Sequence, residues 1–245
     1  MKLKLIISFL FSFSALCEEY YFLKQNSIPK FYETGQGKLG LCGQIYKELR
    51  KNLKHKNITM KVDEPLYPIK RILLKLDKGS GHVFCGAGKT PEREKKYIFS
   101  KKPIYTVNNV VVAHADEDFI PAKLEDFAKN RIMVGAYFGT SSSEFIKSIS
   151  GIQVNDTFTN PDEAYKLIEA KKLRFFFYHD LALNYAVEHS KYKMKVVPVK
   201  FRSIEQWLIY SKKLPKNVRE AIEAEVEEMY KNGQLQKIWQ KFLVL

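Results

Sequence analysis

Long apolar runs are missing from this 245-residue chain beyond its first 17 residues. A helix that crosses a bilayer needs about 20 such residues, so a helical channel or permease is excluded. Cysteine is scarce as well. The three present, Cys17, Cys42 and Cys85, show no CxxC spacing and no grouping with histidine. That excludes both a disulfide-dense scaffold and a zinc ribbon. Low-complexity tracts are absent, and no repeat stands out beyond two α/β halves. Acidic charge is also short: 27 Asp and Glu face 41 Lys and Arg, a formal net charge of +14. Such a surface favours anionic partners. The basic residues are scattered among acids and apolar spacers, however, as in "KELRKNLKHK" and "EAKKLR". They form no stripe or nucleic-acid motif, so they read as solvated faces and no nucleic-acid partner is expected.

One glycine motif has to be tested before it is set aside. "GAGKT" at 86–90 hints at a phosphate-binding loop. That loop needs four residues between its glycines and a helix after its Lys-Ser/Thr. Here one residue separates Gly86 from Gly88, and Pro91 follows Thr90 at once. No nucleotide, cofactor or metal is expected.

The opening segment has a clear character. Lys2 and Lys4 precede an apolar stretch from Leu5 to Leu16, with small Ser14, Ala15 and Cys17 near its end. This fits a secretory signal over residues 1–17 and predicts export to the periplasm. Acylation at Cys17 is disfavoured by the bulky Leu16 before it. Removal of this segment takes away two lysines and no acids, so the mature chain stays strongly basic. It leaves Cys42 and Cys85, for which two free thiols and one bridge both remain open.

Beyond the signal, strand and helix patterns alternate. "EYYFLK", "ITMKV" and "HVFCG" read as strands separated by helices over "QIYKELRKNLK" and "YPIKRILLKLDKG". This is βαβαβ, the pattern of a parallel sheet with helical crossovers. It restarts at "YTVNNVVVAHA" and runs through "RIMVGAY", "IQVNDTF", "LRFFFYHD" and "MKVVPVKF", with helices between, and two helices split by Asn232-Gly233 close the chain. The central long strand and another near residue 200 are expected to pass between two lobes with a cleft between them. The boundaries expected are 18–106 for the first part of lobe 1, 107–205 for lobe 2 and 206–245 for the rest of lobe 1.

In open parallel sheets ligands bind at the carboxyl ends of strands. Three such ends carry chemistry. "CGAG" is followed by Arg93; "FGTSSS" offers Thr140 and Ser141; "HD" offers Asp180. Arginine and hydroxyls suit a carboxylate, and Asp180 suits an ammonium, so together they predict a clamp for a zwitterion. Plainer roles compete: Arg93 could pair with Glu92 or Glu94, and Thr140, Ser141 and Asp180 could only cap helices. His179 and His82 read as structural.

The same residues carry a resemblance. "GAGKTPEREKKYIFSKKPIY", with "KLGLCGQIYKEL", "VGAYFGTSSSEF", "FYHDLAL" and "EEMYKNGQLQKIWQKF" in order, resembles the extracellular solute-binding proteins of family 3. These are the polar amino-acid-binding components of bacterial ABC importers. The resemblance covers almost the whole mature chain. It implies an α/β, two-lobed periplasmic-binding-protein fold of type II, with mostly parallel sheets joined by two crossing strands. It implies a non-enzymatic, monomeric protein that closes by a hinge on a small polar ligand and hands it to an ABC permease. By the resemblance Arg93 takes the α-carboxylate, Gly86 and Gly88 give backbone contacts, Thr140 and Ser141 close from the second lobe, and Asp180 takes the α-amino group. Tyr67 falls at an aromatic position that packs on the ligand. Lys24 falls where the side chain is read, which favours an acidic or polar ligand over a basic one; packing for Tyr67 and solvation for Lys24 are the plainer alternatives. Gly88 stands where the family commonly has threonine, Cys85 occupies a usually small apolar position, and Cys42 and Gln44 replace acidic residues. An enzyme on the same scaffold, a lyase or dehydratase using His179 or Glu33, is the competing expectation, with a sensing domain as a third.

Overall fold

A computed structural model describes residues 19–33, 35 and 37–242; the expected signal segment and Cys17 lie outside the described residues. The first half is built on three strands, β1 (Tyr20–Gln25), β2 (Met60–Tyr67) and β3 (Val83–Ala87), with helices α1 (Gly40–Lys54) and α2 (Ile69–Lys78) between them. β1 pairs in parallel with both β2 and β3. A short helix α3 (Pro91–Lys96) and strand β4 (Ile98–Phe99) lead to the long β5 (Tyr105–His114).

The second half continues with α4 (Glu125–Lys129), β6 (Val134–Tyr137), α5 (Ser141–Lys147), β7 (Val154–Phe158), α6 (Pro161–Glu169), β8 (Phe175–His179), α7 (Asp180–His189) and β9 (Met194–Val196). β6 pairs in parallel with β7 and β8. The chain returns along β10 (Arg202–Tyr210) and ends in α8 (Lys216–Lys231) and α9 (Gln234–Gln240).

β5 and β10 join the halves. β10 runs antiparallel to β5 from Arg202 to Gln206, then antiparallel to β3 from Trp207 to Tyr210. The full strand order is β2-β1-β3-β10-β5-β8-β6-β7, with β4 on β10 and β9 on β5. This is a two-lobed α/β fold with mostly parallel lobes and two antiparallel crossings.

The second crossing differs from the sequence expectation. "MKVVPVKF" forms only the short β9 at the edge of β5, and the crossing is the following segment, β10. Pro198 has no N–H to give a ladder, which ends β9. α3 has a capped start: Thr90 Oγ1 accepts from Arg93 N at 3.3 Å and Pro91 fills the first turn, the ordinary beginning of a helix. α1 begins four residues before the expected segment.

The cores follow the strand periodicity. Alternate residues of β8 serve opposite faces: Phe176 and Tyr178 pack with Val110, Val112 and Tyr137, and Phe175 and Phe177 with Val111, Phe127 and Val134. That is the period of two expected for a strand buried on both faces. The first lobe has one core in which Phe22 stacks on Tyr46, their ring centres 4.2 Å apart. The closing helices α8 and α9 add Ile222, Val226, Met229 and Leu235 to that core. Cys42 on α1 and Cys85 on β3 are joined by a disulfide with Cα atoms 5.8 Å apart.

Candidate functional site

Three of the loops expected to carry chemistry meet at one cleft between the lobes. It is lined by Gly86, Gly88, Arg93, Thr140 and Ser141 among the expected residues, and by Gln25, Lys30, Tyr178, His179 and Gln206 besides. A cavity of about 20 Å³ remains between them. That is room for about one water, so the lobes stand closed.

Arg93 spans the cleft. Being in the first turn of a short capped helix turns its side chain inward, where it is 4% exposed. Nη1 donates to the Gly88 carbonyl at 3.0 Å and Nη2 to the Gly139 carbonyl of the other lobe at 2.9 Å. Nε is buried with no partner among the described residues. Burial pushes the guanidinium's pKa down, and Glu144, 3.8 Å from Nη2, opposes that. Tyr137 Oη donates to the Asn26 carbonyl at 3.0 Å, and Ser27 Oγ lies 3.4 Å from Tyr178 Oη, so further contacts tie the lobes.

The glycines are there because of close approach. A Cβ on Gly86, at φ +88°, would lie 2.2 Å from Tyr105 Oη; one on Gly88 would lie 2.4 Å from Ser141 Oγ across the cleft. Thr140 caps α5: its Oγ1 accepts from Ser143 N at 3.1 Å and donates to the Tyr137 carbonyl at 2.8 Å. Its hydroxyl is thus occupied locally. Ser142 Oγ accepts from Asn109 Nδ2 at 2.8 Å, which fastens the start of α5 to β5.

Three expected residues are not brought to the cleft. Asp180 accepts from Asn108 N at 3.0 Å, Asn108 Nδ2 at 2.7 Å and Leu181 N at 2.9 Å. Its carboxylate is spent on crossing strand β5 and on its own helix. The cleft side of that strand end belongs to His179, which caps α7 by accepting from Ala182 N at 3.1 Å. Tyr67 lies at the end of β2, its hydroxyl donating to Asp63 at 3.1 Å and its ring under Arg71 and Lys75. Lys24 lines a separate, larger recess with Tyr32, Glu33 and Glu64. Strand alternation explains this: Lys24 and Gln25 point to opposite faces, and Gln25 takes the cleft.

Lys30 is the residue that sequence reasoning missed. It follows β1 in "SIPKFY", is 3% exposed, and donates to the Gly86 carbonyl at 3.0 Å and to Gln25 Oε1. Its position is fixed by α1: Leu41 N donates to the Pro29 carbonyl at 3.1 Å and Cys42 N to the Lys30 carbonyl at 3.0 Å. Gly40 allows that approach, since a Cβ there would lie 2.5 Å from the Pro29 carbonyl oxygen. Burial, with Arg93 nearby, pushes the Lys30 ammonium down to about 7. Burial and Lys30 together hold His179 well below the usual imidazole range, so it is neutral. Burial also raises Tyr178 to about 12. The available signal was position: the loop after β1 is a strand end like the other three.

The chain belongs to the bacterial extracellular solute-binding proteins, family 3, whose family model matches residues 24–244. Solved structures agree in fold. An ancestral arginine-binding protein bound to glutamine superposes with a TM-score of 0.77 at 23% identity, over 91% of this chain and 97% of that one. The amino acid ABC transporter substrate-binding protein AbpA of Streptococcus pneumoniae, bound to L-arginine, gives 0.76 at 17%, over 91% and 94%. The ancestral amino acid-binding protein AncCDT-1, a precursor of cyclohexadienyl dehydratase, gives 0.75 at 19%, over 91% and 94%. Among curated proteins none matches the sequence.

Proposed function

We propose that the protein captures a small polar solute between its two lobes in the periplasm and delivers it to an ABC-type permease. The observation that carries this reading is Arg93: an almost fully buried guanidinium that belongs to one lobe and donates to the backbone of the other. A solute carboxylate entering there would accept from the same fork bidentately. Gly86, Gly88 and Ser141 supply the surrounding surface, and the hinge is the pair of crossings β5 and β10. Lobe 1 takes residues 18–106 and 206–245, lobe 2 residues 107–205, and the protein works as a monomer. Export would use the N-terminal signal. No described helix is long and apolar enough to cross a membrane.

The structures it resembles bind glutamine or arginine by their descriptions, which supports a solute of amino-acid size. An enzyme on this scaffold would need an acid or base in the cleft. Of the two candidates, His179 is neutral with Nδ1 engaged as a cap, and Glu33 lines the recess of Lys24 instead. The binding reading therefore stands ahead of the enzymatic one. A thermal-shift screen of the mature protein against amino acids and small organic anions tests it. A solute at 100 times its dissociation constant should stabilise the fold by about 2.7 kcal/mol. No shift with any member of a broad panel would refute the reading.

A further inference from the structure

We propose that the cleft is built for a small dianion, with one acidic group held by Arg93 and a second by Lys30, and that it makes no provision for an ammonium. This rests on the solute-binding reading and narrows its ligand class. Lys30 and Arg93 are 3% and 4% exposed and line the same cavity. Buried charges are normally paired with an opposite charge. These two are not paired in the cleft. The acceptors of Lys30 are neutral, the Gly86 carbonyl and the Gln25 amide oxygen, and an ammonium has three donors. Arg93 donates to two carbonyls and keeps Nε without a partner. The one carboxylate within ion-pair reach of either, among the described residues, is Glu144, which is partly exposed and outside the cleft lining.

The rest of the lining offers no negative charge. Besides apolar Ile69 and Val107 and the two glycines, it consists of hydroxyls, amides, a neutral imidazole and a protonated phenol. Asp180, the carboxylate that the sequence offered for an ammonium, is engaged by Asn108 and Leu181. A zwitterion would therefore bring its ammonium beside the Arg93 guanidinium with no anion to receive it, whereas an anion beside Lys30 favours the charged form of that lysine, which burial and Arg93 hold down. A dianion reverses the sign of that interaction. It turns the mutual repulsion of Lys30 and Arg93 into two attractions, and each anionic group meets unfilled N–H donors. Two chemistries supply the two acidic groups: a dicarboxylate, or a carboxylate with a phosphate ester, the latter with more than two negative charges at pH 7.

The test is calorimetric titration of the mature protein at pH 7. The probes are succinate and glutarate, their amino counterparts L-aspartate and L-glutamate, the zwitterion L-glutamine, the cation L-arginine, and 3-phosphoglycerate. At least one dianion without an amine should bind at least tenfold more tightly than every amine-bearing probe. Preference for a dicarboxylate or for 3-phosphoglycerate tells the two sources apart. Lys30→Met, checked for folding by its thermal transition, should lose at least tenfold for that dianion. Tighter binding of an amine-bearing probe overturns the proposal while leaving the solute-binding reading in place. Unchanged dianion affinity in folded Lys30→Met overturns it as well. If that variant does not fold, the ranking of probes by the unmodified protein decides alone. Absence of binding by every dianion overturns the proposal, and the broader screen above then shows whether solute binding itself fails.

Discussion

The two walls of the cleft differ in charge and in how they are held. The first-lobe wall carries Lys30, on a segment pinned to α1 by backbone amides, and Arg93, in the first turn of α3, while the Cys42–Cys85 bridge ties α1 to β3. The second-lobe wall carries Thr140, Ser141, Ser142, Tyr178 and His179, all neutral at physiological pH in this setting. Recognition of charge is thus concentrated on a rigid surface, while the facing surface closes over it. Closure strips water from Arg93 and Lys30 together, a step that disfavours the charged form of Lys30. An anion between the walls offsets that step. In this arrangement the solute's charge stabilises closure, and the neutral wall supplies fit.

If the rigidity of the first wall depends on its fastening, removing the bridge should show it most strongly. The bridge closes a loop of 43 residues, for which chain entropy gives about 4 kcal/mol of stability. Cys42→Ala with Cys85→Ala should lose stability on that scale in a denaturant titration. A loss below about 1 kcal/mol would show that α1 and the apolar core hold the wall without it.

The cationic character of that wall has a pH signature. In the fold Lys30 titrates near 7, against 10.5 for an ordinary lysine. Between those values the unfolded chain binds a proton that the folded chain does not. Stability due to this group therefore rises with pH from about 7 to 10.5. His179 acts in the same direction lower down: held below the usual 6.5, it makes the fold lose stability as pH falls through 6.5. Arg93 stays charged; Tyr46, Tyr105 and Tyr178, held above the usual 10 by burial, make the fold lose stability once the tyrosines of the unfolded chain ionise, so the rise due to Lys30 is read between pH 7 and about 9. Lys30→Met should flatten the rise above pH 7. Parallel stability–pH curves for the two proteins would contradict the assignment.

The smallest effect belongs to the residue that sequence placed in the site and the structure places beside it. Asp180→Asn retains an acceptor for Asn108 and should cost about 1 kcal/mol of stability. Affinity for the preferred solute should stay within about threefold by calorimetry. A tenfold loss would return Asp180 to the ligand.

Much of the fold was legible because period-two and helical patterns are strong in segments such as "LRFFFYHD" and "QIYKELRKNLK". β10 was not, because its exposed residues include Glu205 and its neighbour Pro198 draws attention to an earlier strand end. For the site, Arg93 and the glycines sit in a local motif whose turn and cap can be read along the chain. Lys30 could not be found that way. Its burial depends on the amides of Leu41 and Cys42 in α1 and on Gly86 in β3. The choice between Lys24 and Gln25, and between Asp180 and His179, turned on one step of register, which moves a side chain to the opposite face.

The contrast between the walls reduces to one pair of substitutions, Arg93→Met on the first and Ser141→Ala on the second, titrated with the solute that the unmodified protein binds best. The account predicts a loss of about 2 to 5 kcal/mol, roughly 30-fold or more, for Arg93→Met. For Ser141→Ala it predicts a change within about tenfold, since a neutral hydroxyl contributes about 0.5 to 1.5 kcal/mol. Equal losses in the two variants, or a larger loss in Ser141→Ala, would contradict a cleft whose binding energy is concentrated in the cations of its first wall.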